Sequence, residues 1–448
     1  MNILHYFLGF PPYRSGGLTK YACDLMTAQA DMGHTVSALW PGQMKLFSKT
    51  VKICRRGQVS GVTSFELINP LPVALDEGVA DPEAYMTACQ GDAYEVFLKK
   101  LKPDTIHIHT LMGLHREFLD TAKKLGIRTV FTTHDYYGIC PKVTLYHSGS
   151  ACQSGSGCKN CVACNIQGLS MKKIIVMQSP LYRFAKNTPV VKYLRKRHRG
   201  SFFAEEALPQ VPEGTDTEQL AEKYQKLRQY YVDMLDAMDT IHFNSTLTES
   251  VYRRYLTPKD GRVVSITHRD IANHTDLLHR EDTCLRITCL APAKPFKGYQ
   301  VLKKALDELW ASGKRDFVLK LYSPVPEPAP YMQVQEEGFR YENLPDIMAD
   351  TDVLVAPSIW YETFGFTVLE ALSFGVPVII TEHIGARDIV GDGGMVIPAG
   401  SADALREAIA ELTPQKLEAM RQAVRGLHIK TWAEFMDENY ALYEDKQI

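Results

Sequence analysis

Two glutamates, Glu362 and Glu370, stand eight residues apart in the run Pro357-Ser358-Ile359-Trp360-Tyr361-Glu362-Thr363-Phe364-Gly365-Phe366-Thr367-Val368-Leu369-Glu370. Carboxylates accept hydrogen bonds from hydroxyls, and a bond to a charged group is worth about 1.5–3 kcal/mol. Eight helical steps of about 100° return to within about 80° of the start, so both side chains can face one cleft. Val353–Ala356 reads as a strand before them, and the residues that follow read as a helix. A helix start exposes unpaired N–H groups and carries roughly half a positive charge, which suits a diphosphate. The segment therefore predicts a diphosphate site with carboxylates beside it for the hydroxyls of a ribose and a sugar.

Three other places carry chemistry of the same kind. Lys297-Gly298 follows the apolar run Leu285–Leu290, with Lys294 close by as a second cation. Ser15-Gly16-Gly17 follows the run Ile3–Phe7 and opens a helix, where glycine permits close backbone approach. His134 ends the strand Arg128–Thr133, and a neutral imidazole both donates and accepts hydrogen bonds. His107 and His109 share one strand face and read as structural or cleft-lining. Arg387 and Asp388 follow the run Val376–Thr381 as further cleft residues.

The elements needed to position these residues alternate strand and helix, which argues for parallel, doubly wound sheets. A first series runs through Ile3–Phe7, Val36–Leu39, Thr105–His109, Arg128–Thr133 and Thr240–Asn244. A second runs through Leu285–Leu290, Phe317–Tyr322, Val353–Ala356, Val376–Thr381 and Met395–Ile397. Helices are expected at Tyr299–Trp310, Ala402–Leu412, Glu218–Met238 and Trp432–Tyr443, and no internal sequence repeat relates the halves. The α/β fold class follows, with two Rossmann-like domains whose crevices face each other across a cleft. The expected division is 1–275 for the first domain and 276–430 for the second. Residues 431–448 form a last segment.

The Glu362–Val378 run resembles the signature of the family 4 retaining glycosyltransferases, which have the GT-B fold. That pattern is Pro-Ser, a Glu, a Gly-rich turn, a second Glu, then Gly-x-Pro-Val. Glu362, Gly365, Glu370, Gly375, Pro377 and Val378 match it. The resemblance implies that Thr363, Phe364, Gly365 and Glu370 hold the donor with Gly16 and Gly17, and that His134, Lys297 and Glu362 carry the chemistry. It further implies that the C-terminal helix crosses back to the first domain. The implied reaction moves a sugar from a UDP- or GDP-sugar to a hydroxyl of a glycan or lipid-linked acceptor, as in polysaccharide biosynthesis. Configuration would be retained by a front-face route, with no catalytic cofactor or metal. The family's Gly-Arg before the Lys-Gly is replaced here by Ala291-Pro292-Ala293-Lys294, so Lys294 would supply the second charge as a point charge and not a bidentate fork. Other readings of the same residues are a non-catalytic glycosyltransferase-like or glycan-binding partner, and an epimerase or phosphorylase on this scaffold.

Five of the ten cysteines fall between Cys140 and Cys164, which suggests a local site within a Cys-rich loop at 140–165. Cys161 and Cys164 form a Cys-x-x-Cys pair, and four thiolates can enclose a structural zinc. A subset of the family carries His-Asp-Tyr, Cys-Pro, a Cys and a Cys-x-x-Cys. That match implies Cys140, Cys152, Cys161 and Cys164 as ligands, with Cys158 as the alternative. Free thiols and an iron–sulfur cluster are the other readings.

Residues 165–204 hold nine Lys or Arg and no acid. Such a basic stretch fits either an anionic membrane surface or a solvated helix face. A formal net charge of −2 gives no reason to expect nucleic acid. The N-terminus lacks the basic lead of a secretory signal, and no apolar run reaches the length of a spanning helix. These features predict a cytoplasmic protein, with the inner membrane face as a peripheral docking place.

Overall fold

The computed structural model describes residues 1–45, 47–74, 78–153, 157–185, 188–189, 193, 211–275 and 284–444. The first sheet holds β1 (Asn2–Tyr6), β2 (Thr35–Pro41), β3 (Lys52–Val59), β4 (Val62–Ile68), β5 (Thr105–Ile108), β6 (Arg128–Thr132), β9 (Thr240–Phe243) and β10 (Gly261–Val263). Their order is β10-β9-β6-β5-β1-β2-β4-β3. The short ribbon β7 (Tyr146–His147) and β8 (Ser150–Ala151) stands apart in the Cys-rich loop. The second sheet holds β11 (Leu285–Cys289), β12 (Phe317–Leu321), β13 (Met332–Val334), β14 (Val353–Ala356), β15 (Val378–Thr381) and β16 (Gly394–Ile397), in the order β13-β12-β11-β14-β15-β16.

In the first sheet the order reverses at β1, and in the second at β11. The loops after these two strands therefore lie at the crevices where such sheets bind ligands. They are the loops that carry Gly16-Gly17 and Lys294–Gly298. Strands such as β1 and β5 are buried on both faces, so they read as apolar runs in the sequence.

The first sheet is not wholly parallel. β3 runs antiparallel to β4 through the turn at Ser60-Gly61, where φ is 48° and 79°. Positive φ at both central residues is the hairpin turn that matches strand twist. β3 is the sheet edge, and Lys52, Arg55 and Arg56 along it discourage pairing with another chain. Its charge is also why it does not read as a strand.

The helix Gly17–Asp31 joins the two sheets. Its Tyr21, Leu25 and Ala28 share one buried cluster with Val368, Leu369, Leu372 and Ile380 of the second half. The helix Trp432–Ala441 starts with a capping box between Thr431 and Glu434. It lays Phe435 against Tyr21 at 5.6 Å, and Leu442 and Tyr443 against Ile3 and Val130. The end of the chain thus packs on the first sheet. The start of the expected second domain, at 276–283, lies outside the described residues.

Candidate functional site

The geometry around Glu362 differs from the helical picture. The helix begins at Phe366, with Gly365 as its N-cap at φ 101°. Glu362 lies ahead of it in extended chain, in a single bridge with Ile384. Its N–H donates to His383 O at 2.8 Å and its carbonyl accepts from Gly385 N at 3.0 Å. The 100° steps therefore do not relate Glu362 to Glu370. What fixes Glu362 is this backbone clamp, together with the turn at Gly365. A Cβ on Gly365 would stand 2.8 Å from Ile384 Cγ2, so the turn requires glycine twice over.

Lys297 Nζ lies 2.9 Å from Glu362 Oε1 and 4.8 Å from the centre of the Trp360 ring. Ser358 Oγ donates to the same carboxylate. Burial pushes the Glu362 carboxyl up, but Lys297 and the Ser358 hydrogen bond outweigh it and hold the group below its ordinary range. Lys297 is aimed by a short turn, Pro295–Lys297, that ends at Gly298. There φ is 79°, and a Cβ would meet Pro357 O at 1.8 Å. The Lys-Gly pair is thus a cation plus the close approach that brings it to the Pro357-Ser358 loop. Lys294 begins the same turn, with Nζ 5.2 Å from the centre of the Phe296 ring.

Glu370 is buried inside the helix Phe366–Ser373, 3.2 Å from His268 Nε2. Tyr341 lies beside it, and burial followed by the Glu370 charge raises the phenol. His268 and Tyr341 have no signal in the sequence. His268 meets Glu370 through the packing of the two halves, and Tyr341 meets it from the turn Tyr341–Asn343 of the same half.

The two halves touch at the remaining predicted residues. Thr363 Oγ1 donates to His134 O at 3.1 Å. Thr363 O accepts from Ser245 Oγ at 2.7 Å and from Thr248 Oγ1 at 2.8 Å. Phe364 is buried, and its ring centre lies 5.7 Å from that of Phe366. A Cβ on Gly17 would come within 3.5 Å of the Phe366 ring, so the glycine loop lies against the start of that helix. Gly16, at φ 114°, caps the helix Gly17–Asp31, and nothing stands within 4 Å of a Cβ there. Asp388 is a joint between the halves. Its carboxylate accepts from Thr246 N at 2.7 Å and Thr246 Oγ1 at 2.6 Å, at the start of the helix Thr246–Tyr252.

The five cysteines of the loop occupy one neighbourhood. Cys158 and Cys161 share a hydrogen bond that lowers the Cys158 thiol to about 7, against burial, and raises that of Cys161. Arg228 Nη2 donates to Cys161 Sγ at 3.5 Å. Cys164 Sγ lies 3.1 Å from His147 Nδ1, and burial pushes its thiol up to about 12. Burial also raises the Cys140 thiol, with Cys152 adding to it. Among the described residues, the only three ligand atoms within 4.8 Å of one another belong to His5, His107 and His109. The donor types in the Cys-rich loop suit zinc, but the described thiols do not form a closed shell.

Of the basic stretch, Lys186, Lys192, Arg195, Lys196, Arg197 and Arg199 lie outside the described residues. Lys172 and Lys173 are on the helix Met171–Met177, and Val176, Met177, Leu181 and Phe184 are exposed nearby. No helix among the described residues is long and apolar enough to cross a membrane.

Residues 285–414 match the family model "Glycosyl transferases group 1", and residues 15–150 match "Glycosyltransferase Family 4". The chain is 39% identical over 70 residues to the O-antigen chain mannosyltransferase B of Escherichia coli, a match over 16% of this chain and 18% of that protein. It is 37% identical over 81 residues to a phosphatidyl-myo-inositol mannosyltransferase of Mycobacterium leprae (strain TN), over 18% of this chain and 22% of that protein. These matches thus span about a fifth of the relatives' lengths. A glycosyltransferase from Rickettsia africae aligns over 98% of this chain and 97% of its own, with a TM-score of 0.57 and 12% identity. The HepE protein of Anabaena, in complex with UDP and glucose, aligns over 98% of both chains with a TM-score of 0.53 and 13% identity. The chain therefore has the GT-B glycosyltransferase fold, with a family 4-like first half and a second half like the group 1 glycosyl transferases.

Proposed function

We propose that the protein is a retaining glycosyltransferase that takes a hexose from a UDP- or GDP-sugar and places it on a hydroxyl of a glycan or lipid-linked acceptor. The observation that carries this reading is the Lys297–Glu362 pair beside the start of the helix Phe366–Ser373, with Thr363 of the same run bonded to the backbone of His134. The leaving diphosphate gains negative charge as the sugar departs. Lys297, the amides at the helix start and the loop at Gly16-Gly17 meet that charge with groups already in place. Such preorganisation is often the main source of an enzyme's rate enhancement. With the diphosphate bound, Lys297 turns from Glu362 to phosphate, and Glu362 accepts from the donor sugar. Glu370 accepts from the ribose hydroxyls.

Retention follows without a carboxylate nucleophile in this reading. Glu362 is held by Lys297 and Ser358 as an acceptor, so the phosphate oxygen that leaves takes the proton of the incoming hydroxyl on the same face. Cationic groups and a helix start take the part a catalytic metal would play. The Cys-rich loop is a separate structural element. We assign it one zinc held by Cys140, Cys152, Cys161 and Cys164, with Cys158 in reserve. Metal analysis of the purified protein should return one equivalent, and a chain free of zinc ends that assignment. Lys172, Lys173 and the exposed apolar side chains beside them favour an anionic membrane surface as the place where a lipid-linked acceptor is met.

A thermal-shift screen of sugar nucleotides tests the reading. At one hundred times its dissociation constant, the true donor adds about 2.7 kcal/mol to stability. Glu370→Ala should abolish that gain; because Glu370 is buried against His268 the unliganded transition falls too, and the gain is read against the variant's own baseline. Vesicles of anionic phospholipid carrying acceptor should then accept labelled sugar from the same donor. Failure of every nucleotide sugar to stabilise the protein would overturn the proposal.

A further inference from the structure

Nine groups form one unbroken hydrogen-bonded chain inside the first sheet. It starts at the carbonyl of Val264, which accepts from His242 Nε2 at 2.7 Å. His242 Nδ1 lies 2.9 Å from Thr132 Oγ1, and Thr132 Oγ1 lies 2.7 Å from His107 Nε2. His107 Nδ1 lies 2.8 Å from the hydroxyl of Tyr443, which accepts from Gln29 Nε2 at 2.9 Å. Gln29 Oε1 lies 2.7 Å from His5 Nε2. His5 Nδ1 lies 3.0 Å from His109 Nε2, and His109 Nδ1 lies 3.2 Å from His134 Nε2. Strand register makes this possible, because His5 and His107 are direct partners across β1 and β5.

The chain has a direction. A carbonyl oxygen only accepts, so His242 carries its proton on Nε2. Burial lowers His5 and His242 to about 4 and His134 to about 3, and it holds His107 and His109 well below their usual range. Each ring is therefore neutral at pH 7 and has one N–H. His242 Nδ1 then accepts, and Thr132 must donate to it. Thr132 in turn accepts from His107 Nε2, so His107 Nδ1 accepts from Tyr443. The Tyr443 oxygen accepts from the Gln29 amide, whose carbonyl accepts from His5 Nε2. His5 Nδ1 accepts from His109 Nε2, and His109 Nδ1 accepts from His134 Nε2. The reverse order would need two protons on His242.

We propose that Tyr443, on the segment after the last helix, is a positioning residue that fixes His134 as the Nε2–H tautomer and leaves His134 Nδ1 as a bare acceptor. An acceptor at this point takes a hydrogen bond from a hydroxyl and repels a carboxylate or phosphate. Only this last step rests on the proposed function: the donor sugar would be a neutral hexose and not a uronic acid.

The test is long-range proton–nitrogen correlation spectroscopy on the full chain labelled at histidine nitrogen, with His134 assigned by its loss in His134→Asn. The parent should show His134 protonated at Nε2 alone. Tyr443→Phe removes the hydroxyl that orients the chain, and His134 should become a mixture of tautomers while KM for a hexose donor rises severalfold and kcat changes less. If Tyr443→Phe does not fold, Gln29→Leu cuts the next link and should give the same mixture. Protonation of His134 at Nδ1 in the parent overturns the proposal, as does a folded Tyr443→Phe or Gln29→Leu variant with a single, unchanged tautomer. The tautomer is read without any sugar nucleotide, so its outcome stands apart from whether one binds.

Discussion

Lys297→Ala should reduce turnover by about a thousandfold, with donor affinity changed far less. Removing one preplaced donor from a site of developing negative charge costs about 10²–10³ in rate. In the proposed reaction the group lost is a full charge facing a leaving diphosphate, so the upper end applies. The fold should survive, because among the described residues the Lys297 side chain pairs at the cleft, with Glu362 and the Trp360 face. Lys297→Arg keeps the charge, but the tight turn at Gly298 against Pro357 leaves the longer fork displaced, and partial recovery is expected. The measurement is kcat with the donor identified by thermal shift. A Lys297→Ala enzyme that keeps most of its turnover would remove Lys297 from the mechanism, and charge stabilisation at the diphosphate with it.

Acid should unfold the protein well above the pH at which carboxylates titrate. His5, His115 and His242 are buried and lowered to about 4, and His134 to about 3, with desolvation as the leading cause. In the unfolded chain a histidine titrates near 6.5. A group with a depressed folded value contributes stability that is present above 6.5 and lost as pH falls toward the folded value. Between pH 6.5 and 5 each such histidine removes about 2 kcal/mol. Asp135 works the other way. Burial raises it to about 6, so it gains stability as pH falls through that value. One partly buried carboxyl offsets only a fraction of what several buried imidazoles lose. Since a domain has about 5–15 kcal/mol in hand, Tm should fall steeply between pH 6.5 and 5. A Tm that stays level over that window would contradict the buried, neutral state of these rings.

Much of the second half was legible because chemistry and structure coincide there. Gly365 and Gly298 are required by positive φ and by contacts with Ile384 and Pro357, so the same residues mark the site in sequence and build it in space. The strands β11, β12, β14 and β15 are mostly apolar runs, which one-dimensional reading finds readily, whereas the short β13, Met-Gln-Val, gives no such signal. The hairpin β3–β4 was illegible, since an edge strand carrying Lys52, Arg55 and Arg56 looks like a polar loop. Helical steps do not link Glu362 to Glu370, because the helix starts only at Phe366 and leaves Glu362 in extended chain. Alternation placed His107 and His109 on one face of a strand, but their partners depend on strand order. No local pattern tells that His5 and His134 lie on the neighbours, or that Tyr443 reaches them from the far end of the chain.

The Asp388 joint has a mechanical consequence. A helix of the first half, Thr246–Tyr252, has its opening amide stoppered by a carboxylate that belongs to the other half. Prising the halves apart at that point strips the opening amide of its acceptor, while Ser245 keeps its own cap on Thr248 N. Under the proposed function, release of spent nucleotide should therefore proceed by swivelling about this fulcrum, with the far rim of the crevice travelling most, and not by uniform separation.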